Sequence, residues 1–438
     1  MNIISGFSKF TKEEKIDFLA KNYFNDPASI KDLLQSFWHR DEKAQTTFDE
    51  FSENTLTNFF FPYGVVPNLL LNNKTYCVPM VIEESSVVAA AANASNYWVK
   101  RGGVSAEVLS FKKVGQVHFI YKGLKEKLFN YFEKIKPQLL KEVEPLEENM
   151  KKRGGGILEM NLRDLSGIEV GLFQLFMTFD TRDAMGANFI NSILELMGKS
   201  FQEKSQEQGF LGENKIDIIM GILSNYTPDC LVRASVSCKV SDLEDPRFGM
   251  PSSEFAKRFE YAVKISKADV FRATTHNKGI MNGVDSVILA TGNDFRAVEA
   301  CVHAFASRTG RYQGLTEISL KDDIFHYSLE LPLALGTIGG LTSLHPLAKV
   351  SLDMLGNPGA QDLMKISAAI GLLQNFSAIR SLITSGIQKG HMKMHLLNIL
   401  NSMGATDLER EAAKEYFRTR IISFKAVKEF LDGQRTLH

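Results

Sequence analysis

Residues 272–283 read Arg-Ala-Thr-Thr-His-Asn-Lys-Gly-Ile-Met-Asn-Gly, and residues 290–294 follow as Ala-Thr-Gly-Asn-Asp. The ammonium group of Lys278 and the carboxylate of Asp294 are thus sixteen positions apart, with amide and hydroxyl side chains between them. The glycines and polar residues, bracketed by apolar segments, predict loops held by rigid elements, which is where chemistry is often found. Sixteen positions are too many for a helical i,i+4 pair, so only the tertiary fold can join the two charges. The simpler alternative is a surface ion pair between turns.

The bulk composition is that of an ordinary globular protein. With 438 residues the chain can form two or three domains, taking roughly 150 residues per domain. Its 51 basic and 51 acidic residues give no overall charge that would attract nucleic acid or an anionic membrane. An anionic ligand must therefore be recognised by local charge, and we expect small-molecule rather than nucleic-acid or membrane partners.

The cysteines and the N-terminus predict a cytoplasmic location. Four cysteines without C-x-x-C spacing are too sparse for a disulfide framework, so they are expected to be reduced thiols. The N-terminus lacks a basic region followed by an apolar run, so no signal peptide is predicted. The longest uncharged stretch, 331–348, contains two prolines and three glycines and is a poor membrane span.

The N-terminal segment is predicted to be helical to about residue 52. Thr11 followed by Glu14 has the spacing of a capping box at the start of its first helix. Further on, Asn72-Asn73 predicts a hairpin turn that leads into a strand over 75–82.

Paired glutamates precede an alanine-rich segment at 87–94. We expect a closely packed helix there, with Ser85 and Ser86 capping its start and Glu84 near its positive end. The simplest role for such glutamates is in a solvated turn. A carboxylate between a buried strand and a buried helix is less easily solvated, and burial would raise its pKa toward that of a general acid.

The pattern over 111–224 predicts a separate domain inserted into a large mixed domain. Strands and helices alternate there in the order β-α-β-β-α-β, which is the ferredoxin-like, split βαβ arrangement. The fold class is therefore α+β, with a large domain over 1–110 and 225–385. Residues 183–188, Asp-Ala-Met-Gly-Ala-Asn, open the second helix of the insert, where free N–H groups suit a pyrophosphate. A merely structural helix cap is the alternative.

The C-terminal part contains a long buried helix and a small terminal unit. We predict that Asp294 caps a helix over 295–308, and that 359–385 is a fully buried helix. Beyond it, 386–438 begins with glycines on both sides of a basic turn and continues with short polar helices, one of which has a capping box at Thr406 and Glu409. Glycine hinges before a small unit are typical of a mobile lid.

Five of these segments together resemble the bacterial class II 3-hydroxy-3-methylglutaryl-CoA reductases. The run 273–283 resembles their lysine loop, and 290–294 resembles their aspartate loop. The segment 83–89 is similar to their glutamate motif, 183–188 to their cofactor motif, and Gly-His-Met at 390–392 to their flap histidine. The resemblance covers nearly the whole chain.

This resemblance implies a set of site residues. The implied catalytic residues are Glu84, Lys278, Asp294 and His391. The residues implied to contact the hydroxymethylglutaryl portion, or to support the lysine, are Ser86, Arg272, Asn282, Gln374 and Asn375. The residues implied on the cofactor side are Glu147, Asp183, Met185, Gly186, Asn188 and Asn225.

The implied reaction is the four-electron reduction of hydroxymethylglutaryl-CoA to mevalonate and coenzyme A, or its reverse, in isoprenoid metabolism. Hydride attack on a thioester builds an oxyanion that Lys278 can stabilise, with Asp294 polarising the lysine. His391 suits protonation of the departing thiolate, Glu84 suits proton donation to the aldehyde, and Arg272 can pair with the free carboxylate of the substrate. The relatives are dimers with active sites at the subunit interface, so a homodimer or larger homo-oligomer is implied.

Some alternatives stay open at this level. Glu147 would favour NADH by binding a ribose hydroxyl, whereas the basic residues at 151–153 would favour the phosphate of NADPH. Lys9 lies where some relatives use an arginine for coenzyme A. Another acyl-CoA reductase with the same lysine, or a non-catalytic relative, is a competing function. His391 and His395 have helical spacing for a metal pair, but without a third ligand nearby we predict no metal site.

Overall fold

The computed structural model describes residues 4–207, 211, 214–384, 396–418, 420 and 422–436. The strands are β1 Tyr63–Leu71, β2 Lys74–Val81, β3 Ser105–Val108, β4 Lys113–Ile120, β5 Gly156–Asp164, β6 Leu172–Asp180, β7 Asp217–Ser224, β8 Leu231–Lys239, β9 Thr316–Lys321 and β10 Ile324–Pro332. The helices of the N-terminal half are α1 Lys12–Tyr23, α2 Pro27–Ser36, α3 Glu42–Asp49, α4 Ser85–Val99, α5 Lys125–Lys152 and α6 Ala187–Glu207. Those of the C-terminal half are α7 Ser252–Ala268, α8 Val270–Ala290, α9 Phe295–Ala306, α10 Leu341–Leu344, α11 Pro346–Met354, α12 Ala360–Ile383, α13 Asp407–Tyr416 and α14 Phe424–Thr436.

One body of the chain is built on an antiparallel sheet with the strand order β3-β8-β10-β9. Helices α4, α7, α8 and α12 share one continuous hydrophobic core with this sheet and with the β1-β2 hairpin. Large aromatic side chains fill its centre; the Phe376 ring lies 5.2 Å from Trp98 and 5.4 Å from Phe259. The chain is thus a mixed α and β protein, as predicted.

Helix α8 corrects the prediction for the central stretch, which is helical rather than looped. Its glycines are packing positions against the buried helix α12. A Cβ on Gly283 would lie 2.9 Å from Cβ of Gln374, and one on Gly371 would lie 2.7 Å from Val284. Without side chains at these positions the two helix backbones approach closely, and burial of the interface outweighs the low helix propensity of glycine.

A second sheet, with the strand order β5-β6-β4-β7, is covered by α5 and α6. Its elements follow the chain as β-α-β-β-α-β, the order predicted for this segment. The sheet and its helices enclose a hydrophobic core of their own, in which the Phe119 and Phe201 rings meet edge to face at 5.2 Å. Separate cores explain why this segment has its own periodicity in the sequence.

Several predicted helix starts are confirmed, and one is wrong. The capping boxes at Thr11 and Thr406 are present, and Asp294 accepts from the first N–H groups of α9. The predicted turn at Asn72-Asn73 joins β1 to β2, with both residues at positive φ. At α4, however, the N-cap position is occupied by Glu84 rather than by a serine.

Helix α12 is long and apolar enough to cross a membrane by length and composition, but 72% of its most apolar window is buried inside the protein. A buried central helix needs apolar residues on all sides, which explains this composition. The terminal helices α13 and α14 have a separate small core. The predicted glycine hinge at 386–390 lies outside the described residues.

Candidate active site

Glu84 and Lys278, far apart in sequence, meet at one face of the main body. Lys278 lies in the middle of α8, and its Nζ donates to Oε2 of Glu84 at 3.2 Å. Ser86 donates its hydroxyl to the other carboxylate oxygen at 3.0 Å. As the N-cap of α4, Glu84 also lies at the positive end of a helix dipole.

This pair is more open than the sequence led us to expect. The Lys278 side chain is 62% exposed and the Glu84 side chain 36% exposed. The expectation that burial keeps Glu84 protonated is therefore not met within one chain. Exposed ion pairs contribute only about 0–1 kcal/mol, so this pair adds little to the stability of the fold.

The turn of α8 that carries Lys278 is held from behind by buried side chains. The amide of Asn375 donates to the carbonyl of His276 at 2.8 Å and accepts from the Tyr327 hydroxyl at 2.5 Å. The His276 ring lies 2.8 Å from the Thr316 hydroxyl, and burial lowers the pKa of this imidazole to about 3. A neutral, hydrogen-bonded histidine there is a structural support for this turn.

Asn277, adjacent to Lys278, extends the same support. Its side chain donates to the carbonyl of Gln313 at 3.0 Å and accepts from the backbone N–H of Leu315 at 3.0 Å. The side chains just before Lys278 therefore point into the protein, which directs the lysine outward. Lys278 is consequently an exposed side chain on a well-supported backbone.

The predicted substrate-contacting residues fall into two groups. Asn375 is 1% exposed and its amide is already bound, so within one chain it positions α8. Gln374, 5% exposed, has a side-chain oxygen with no hydrogen-bond partner among the described residues, and Asn282 lies one helical turn after Lys278. Arg272 is half-buried, and no described residue pairs with its guanidinium. Burial lowers the pKa of Arg272.

Asp294 lies beyond the C-terminal end of α8, where α9 begins. Twelve residues of helix, about 18 Å at 1.5 Å per residue, separate Lys278 from the last residue of α8. Asp294 follows the next turn and binds the Arg296 guanidinium through both oxygens, each at 3.0 Å. The structure therefore does not bring Asp294 to Lys278 within one chain.

The Asp294 carboxylate is nevertheless charged and well ordered by its partners. Partial burial alone would raise its pKa, but Arg296 and the backbone N–H groups of Arg296 and Ala297 outweigh burial and lower the pKa. Asp294 is thus an anion fixed at the start of α9.

A pocket of about 290 Å³ opens beside Asp294, between the two bodies of the chain. Predicted cofactor residues Met185 and Asn225 line it together with Asp294. The other lining residues are Lys113, Val114, Ala187, Ile190, Ile222, Leu223, Ser224, Thr227, Ala297, Val298, Cys301 and Ala334. Mostly apolar walls with a few polar groups are typical of small-molecule sites.

The motif 183–188 forms the turn into α6 beside this pocket. Gly186 has φ of 83°, and a Cβ there would lie 2.4 Å from the Thr181 side chain, so this position needs glycine. Asn188 is an exposed residue in the first turn of α6. Asp183 accepts from the backbone N–H of Ala360 at 2.7 Å, at the start of α12 rather than of α6.

Glu147 lies inside the second body. Its carboxylate accepts from the backbone N–H of Ile157 at 2.7 Å and pairs with Lys151 at 3.0 Å, and its side chain is 3% exposed. These contacts join α5 to β5 and leave Glu147 inaccessible to a ribose within one chain. Lys9 belongs to an exposed short turn near the N-terminus, and His391 lies outside the described residues.

A family model supplies the decisive comparison. The model described as hydroxymethylglutaryl-coenzyme A reductase matches residues 12–396, which is most of the chain and includes both ends of α8. The chain belongs to the hydroxymethylglutaryl-coenzyme A reductase family. The resemblance inferred from separate sequence motifs is thereby confirmed.

Curated members of the hydroxymethylglutaryl-coenzyme A reductase family align over nearly their whole length. The 3-hydroxy-3-methylglutaryl-coenzyme A reductase of Archaeoglobus fulgidus is 33% identical, with 99% of this chain and 95% of the relative covered. A protein of Borreliella burgdorferi named as a probable reductase of the same kind is also 33% identical, with 96% and 95% covered.

Solved structures of the family have the same fold. A class II 3-hydroxy-3-methylglutaryl-CoA reductase from Streptococcus pneumoniae, bound to NADPH in open conformations, has a TM-score of 0.72 at 36% identity, covering 87% of this chain and 99% of its own. A second structure from the same organism has a TM-score of 0.73 at 34% identity, covering 98% and 99%.

Knowledge of the hydroxymethylglutaryl-coenzyme A reductase family does not by itself identify the supporting residues seen here. Tyr327 and Thr316 lie on strands that read as ordinary alternating segments, and Lys113 resembles its exposed neighbour Lys112 in sequence. Their roles depend on partners between 40 and 222 positions away, so no local signal could reveal them.

Proposed function

We propose that this chain reduces 3-hydroxy-3-methylglutaryl-CoA to mevalonate and coenzyme A with NADH or NADPH, or catalyses the reverse reaction. The observation that carries the proposal is the Glu84–Lys278 pair at 3.2 Å in a chain of this family. A proton donor and a fixed cation at one point suit the reduction of a carbonyl, since each hydride creates negative charge on oxygen.

Lys278 stabilises that negative charge. Its ammonium donates to the carbonyl oxygen of the thioester and then to that of the aldehyde. One such preorganised donor is typically worth about 3–4 kcal/mol of transition-state stabilisation. The rigid turn of α8 behind Lys278 limits the reorganisation needed during the reaction.

Glu84 and Arg272 bind and protonate the substrate. The Glu84 carboxyl, held by Ser86, delivers the proton to the developing alkoxide, which requires that the closed site displace the water around it. Arg272, half-buried and without a described partner, pairs with the free carboxylate of the substrate in the two-pronged geometry that guanidinium favours. His391 is the proposed proton donor to the departing thiolate.

The pocket beside Asp294 fits the nicotinamide cofactor. Its apolar walls suit a nicotinamide ring, and the glycine turn at Gly186 leaves the start of α6 open for phosphate groups. Met185, Gly186, Asn188 and Asn225 are the residues proposed to hold it, and Asp183 braces the turn. When bound, the cofactor supplies hydride. Since Glu147 is buried and bound, the exposed basic residues at 151–153 are better placed than Glu147 to meet an adenosine phosphate.

We also propose the domain arrangement that this chemistry needs. Residues 1–110 and 225–385 form a large substrate-binding domain, 111–224 an inserted ferredoxin-like cofactor domain, and 386–438 a C-terminal flap that closes over the site. Separate hydrophobic cores support this division. We place the enzyme in the cytoplasm.

A second copy of the chain completes the site. Because about 18 Å of helix separates Lys278 from the end of α8, Asp294 has to reach the lysine of a partner subunit in a homodimer. Phe59 and Phe271, 86% and 83% exposed, are apolar surface that such an interface would cover.

A spectrophotometric assay tests the proposal. Purified protein is given hydroxymethylglutaryl-CoA with NADH or NADPH, and consumption of the reduced cofactor is followed. We expect two cofactors oxidised per mevalonate formed. Turnover of other acyl-CoA thioesters at equal kcat/KM would instead favour a general acyl-CoA reductase, and binding without turnover would favour a non-catalytic role.

A further inference from the structure

A second lysine, remote from Lys278, is buried at the junction between the two bodies of the chain. Lys113 is the first residue of β4 and is 4% exposed. Its Nζ donates to the Thr181 hydroxyl at 2.7 Å and to the carbonyls of Ala184 at 2.8 Å and Met185 at 2.9 Å. The Leu335 carbonyl is 3.4 Å away. The Lys113 ammonium group thus contacts three backbone carbonyl oxygens and one hydroxyl.

These acceptors belong to the two segments that flank the pocket. Ala184 and Met185 are part of the cofactor motif, whereas Leu335 belongs to the large body. Beside Leu335, the N–H of Gly336 donates to the Asn293 side chain at 2.8 Å, and Asn293 directly precedes Asp294. Lys113 therefore stands between the cofactor motif and the segment that fixes the aspartate.

The surroundings of Gly336 show how closely these segments approach. A Cβ on Gly336 would lie 2.4 Å from the backbone nitrogen of Met185. The Asp183 carbonyl accepts from the N–H of Thr337 at 2.7 Å, and Ala184 forms a parallel bridge with Ile338. The backbone of the cofactor motif is thus docked on 336–338, with the ammonium at one end of the contact.

Burial of this ammonium is costly, which argues for a specific role. No described carboxylate forms an ion pair with Lys113, and burial lowers its pKa to about 8. An apolar side chain would fill the same space without that penalty. A lysine ammonium carries three donors and can serve several carbonyl oxygens at once. Without it the carbonyls of Met185 and Leu335 would lose this buried partner, and the Ala184 carbonyl would keep only the Thr181 hydroxyl.

We propose that Lys113 is a positioning residue for the cofactor: it holds the backbone of Ala184 and Met185 against Leu335 and so sets the nicotinamide pocket relative to Asp294. The inference rests on the proposed reductase function. In this role Lys113 sets the geometry of the cofactor site and takes no part in the substrate chemistry at Lys278.

The test compares Lys113→Met with Lys112→Met in the full-length enzyme. Methionine preserves the length and volume of the side chain and removes the charge. For Lys113→Met we expect KM for the nicotinamide cofactor to rise about tenfold or more and kcat to fall, with KM for hydroxymethylglutaryl-CoA within about twofold of wild type. Lys112, whose side chain is 39% exposed in an ion pair with Glu159, should tolerate the change.

A second pair of variants covers the case in which Lys113→Met does not fold. Thr181→Ser keeps the hydroxyl that Lys113 contacts, and Thr181→Val removes it while keeping the shape. We expect the serine variant to retain the cofactor KM of the wild type and the valine variant to raise it.

The outcomes separate this inference from the proposed function. A wild-type enzyme without reductase activity refutes the proposed function. With an active wild type, an unchanged cofactor KM in Lys113→Met refutes the role of Lys113, as do equal increases in the KM of both substrates. If only the threonine pair folds, equal cofactor KM values for the serine and valine variants refute it.

Discussion

Helix α8 and the turn that follows it hold the two proposed catalytic charges in contrasting ways. Near the middle of the helix, Lys278 is exposed, and the backbone that carries it is supported by buried side chains. Beyond the C-terminal end, Asp294 is fixed by Arg296 and by the backbone of α9. Because a straight helix keeps Lys278 about 18 Å from the end that precedes Asp294, the proposed site would take Lys278 from one chain and Asp294 from another.

This difference has a consequence for how the site forms. The Glu84–Lys278 pair is open to solvent and contributes little stability, so its geometry can change when substrate and partner arrive. The Asp294 region is coupled to the cofactor motif through Gly336 and Lys113 and is already ordered. Assembly of two chains would therefore bring the exposed Glu84–Lys278 pair of one chain to the ordered Asp294 region of the other.

The largest effect is expected from a substitution of Lys278. Lys278→Ala should lower kcat by a hundredfold or more, corresponding to about 3–4 kcal/mol of lost transition-state stabilisation. Because the side chain is mostly exposed, the melting temperature should change by no more than about 2 °C. Steady-state kinetics and thermal melts measure both, with Lys278→Arg as the charge-preserving control. Turnover near that of wild type would rule out this role for Lys278.

Mixing two inactive variants tests whether the Lys278 and the Asp294 of one active site belong to different chains. Lys278→Ala and Asp294→Asn should each be inactive alone, whereas a mixed dimer contains one site in which both residues are intact. After random subunit exchange, about a quarter of wild-type activity should return. Mixed dimers that are verified by differently tagged chains and yet remain inactive would mean that Asp294 does not serve the partner's lysine.

A smaller effect is expected from the buried support of α8. Tyr327→Phe removes the hydroxyl that donates to Asn375, leaving a buried amide oxygen unpaired at a cost of about 1–3 kcal/mol. Chemical unfolding should show this loss, and kcat should fall more than the cofactor KM changes. Tyr261→Phe, at a tyrosine that is 54% exposed on α7, is the matched control and should change neither quantity. Equal behaviour of the two variants would mean that the support does not matter.

The last prediction concerns stability rather than catalysis, at Asp285 on α8 between Lys278 and the C-terminal end of the helix. Burial, then the nearby Glu299 carboxylate, raises the pKa of Asp285, while His303 and other contacts lower the pKa of Glu299. The folded protein therefore retains a proton on Asp285 at pH values where the unfolded chain, with a carboxyl pKa of 3.8, has lost it. The free energy of unfolding then decreases as pH rises above that value.

Asp285→Asn removes this titration. The variant should lose less stability than wild type between about pH 5 and about pH 9, in urea unfolding measured at several pH values. Parallel pH profiles for the two proteins would show that Asp285 is ionised in the folded state.

The local sequence signal agrees with the observed secondary structure in some of these regions and disagrees in others. Segments with a strong local signal, such as the capping boxes at Thr11 and Thr406 and the Asp294 cap, have the predicted structure. The stretch around Lys278 was predicted as loops because glycine and polar residues disfavour helices locally. Tertiary packing overrides that tendency, since Gly283 allows contact with a buried helix more than eighty positions away.

Some residues of the candidate site lie where the motifs predicted, and others do not. Motif resemblance placed Glu84 and Lys278 among the four expected catalytic residues, and these two lie in contact. It also assigned Asn375 and Glu147 to ligands, although both side chains are buried and bound within the chain. A motif specifies residue types along the chain, whereas exposure depends on which distant elements cover them.

By itself, the sequence determined the family and the mixed α and β class, because these are encoded in short motifs and local periodicity. Only the tertiary structure decided that Lys278 lies in the middle of a helix and Asp294 beyond its C-terminal end, and that Lys113 is buried between the two bodies. The physical reason is that burial, hydrogen bonding and the distance between charges arise from contacts between segments that are remote in the chain.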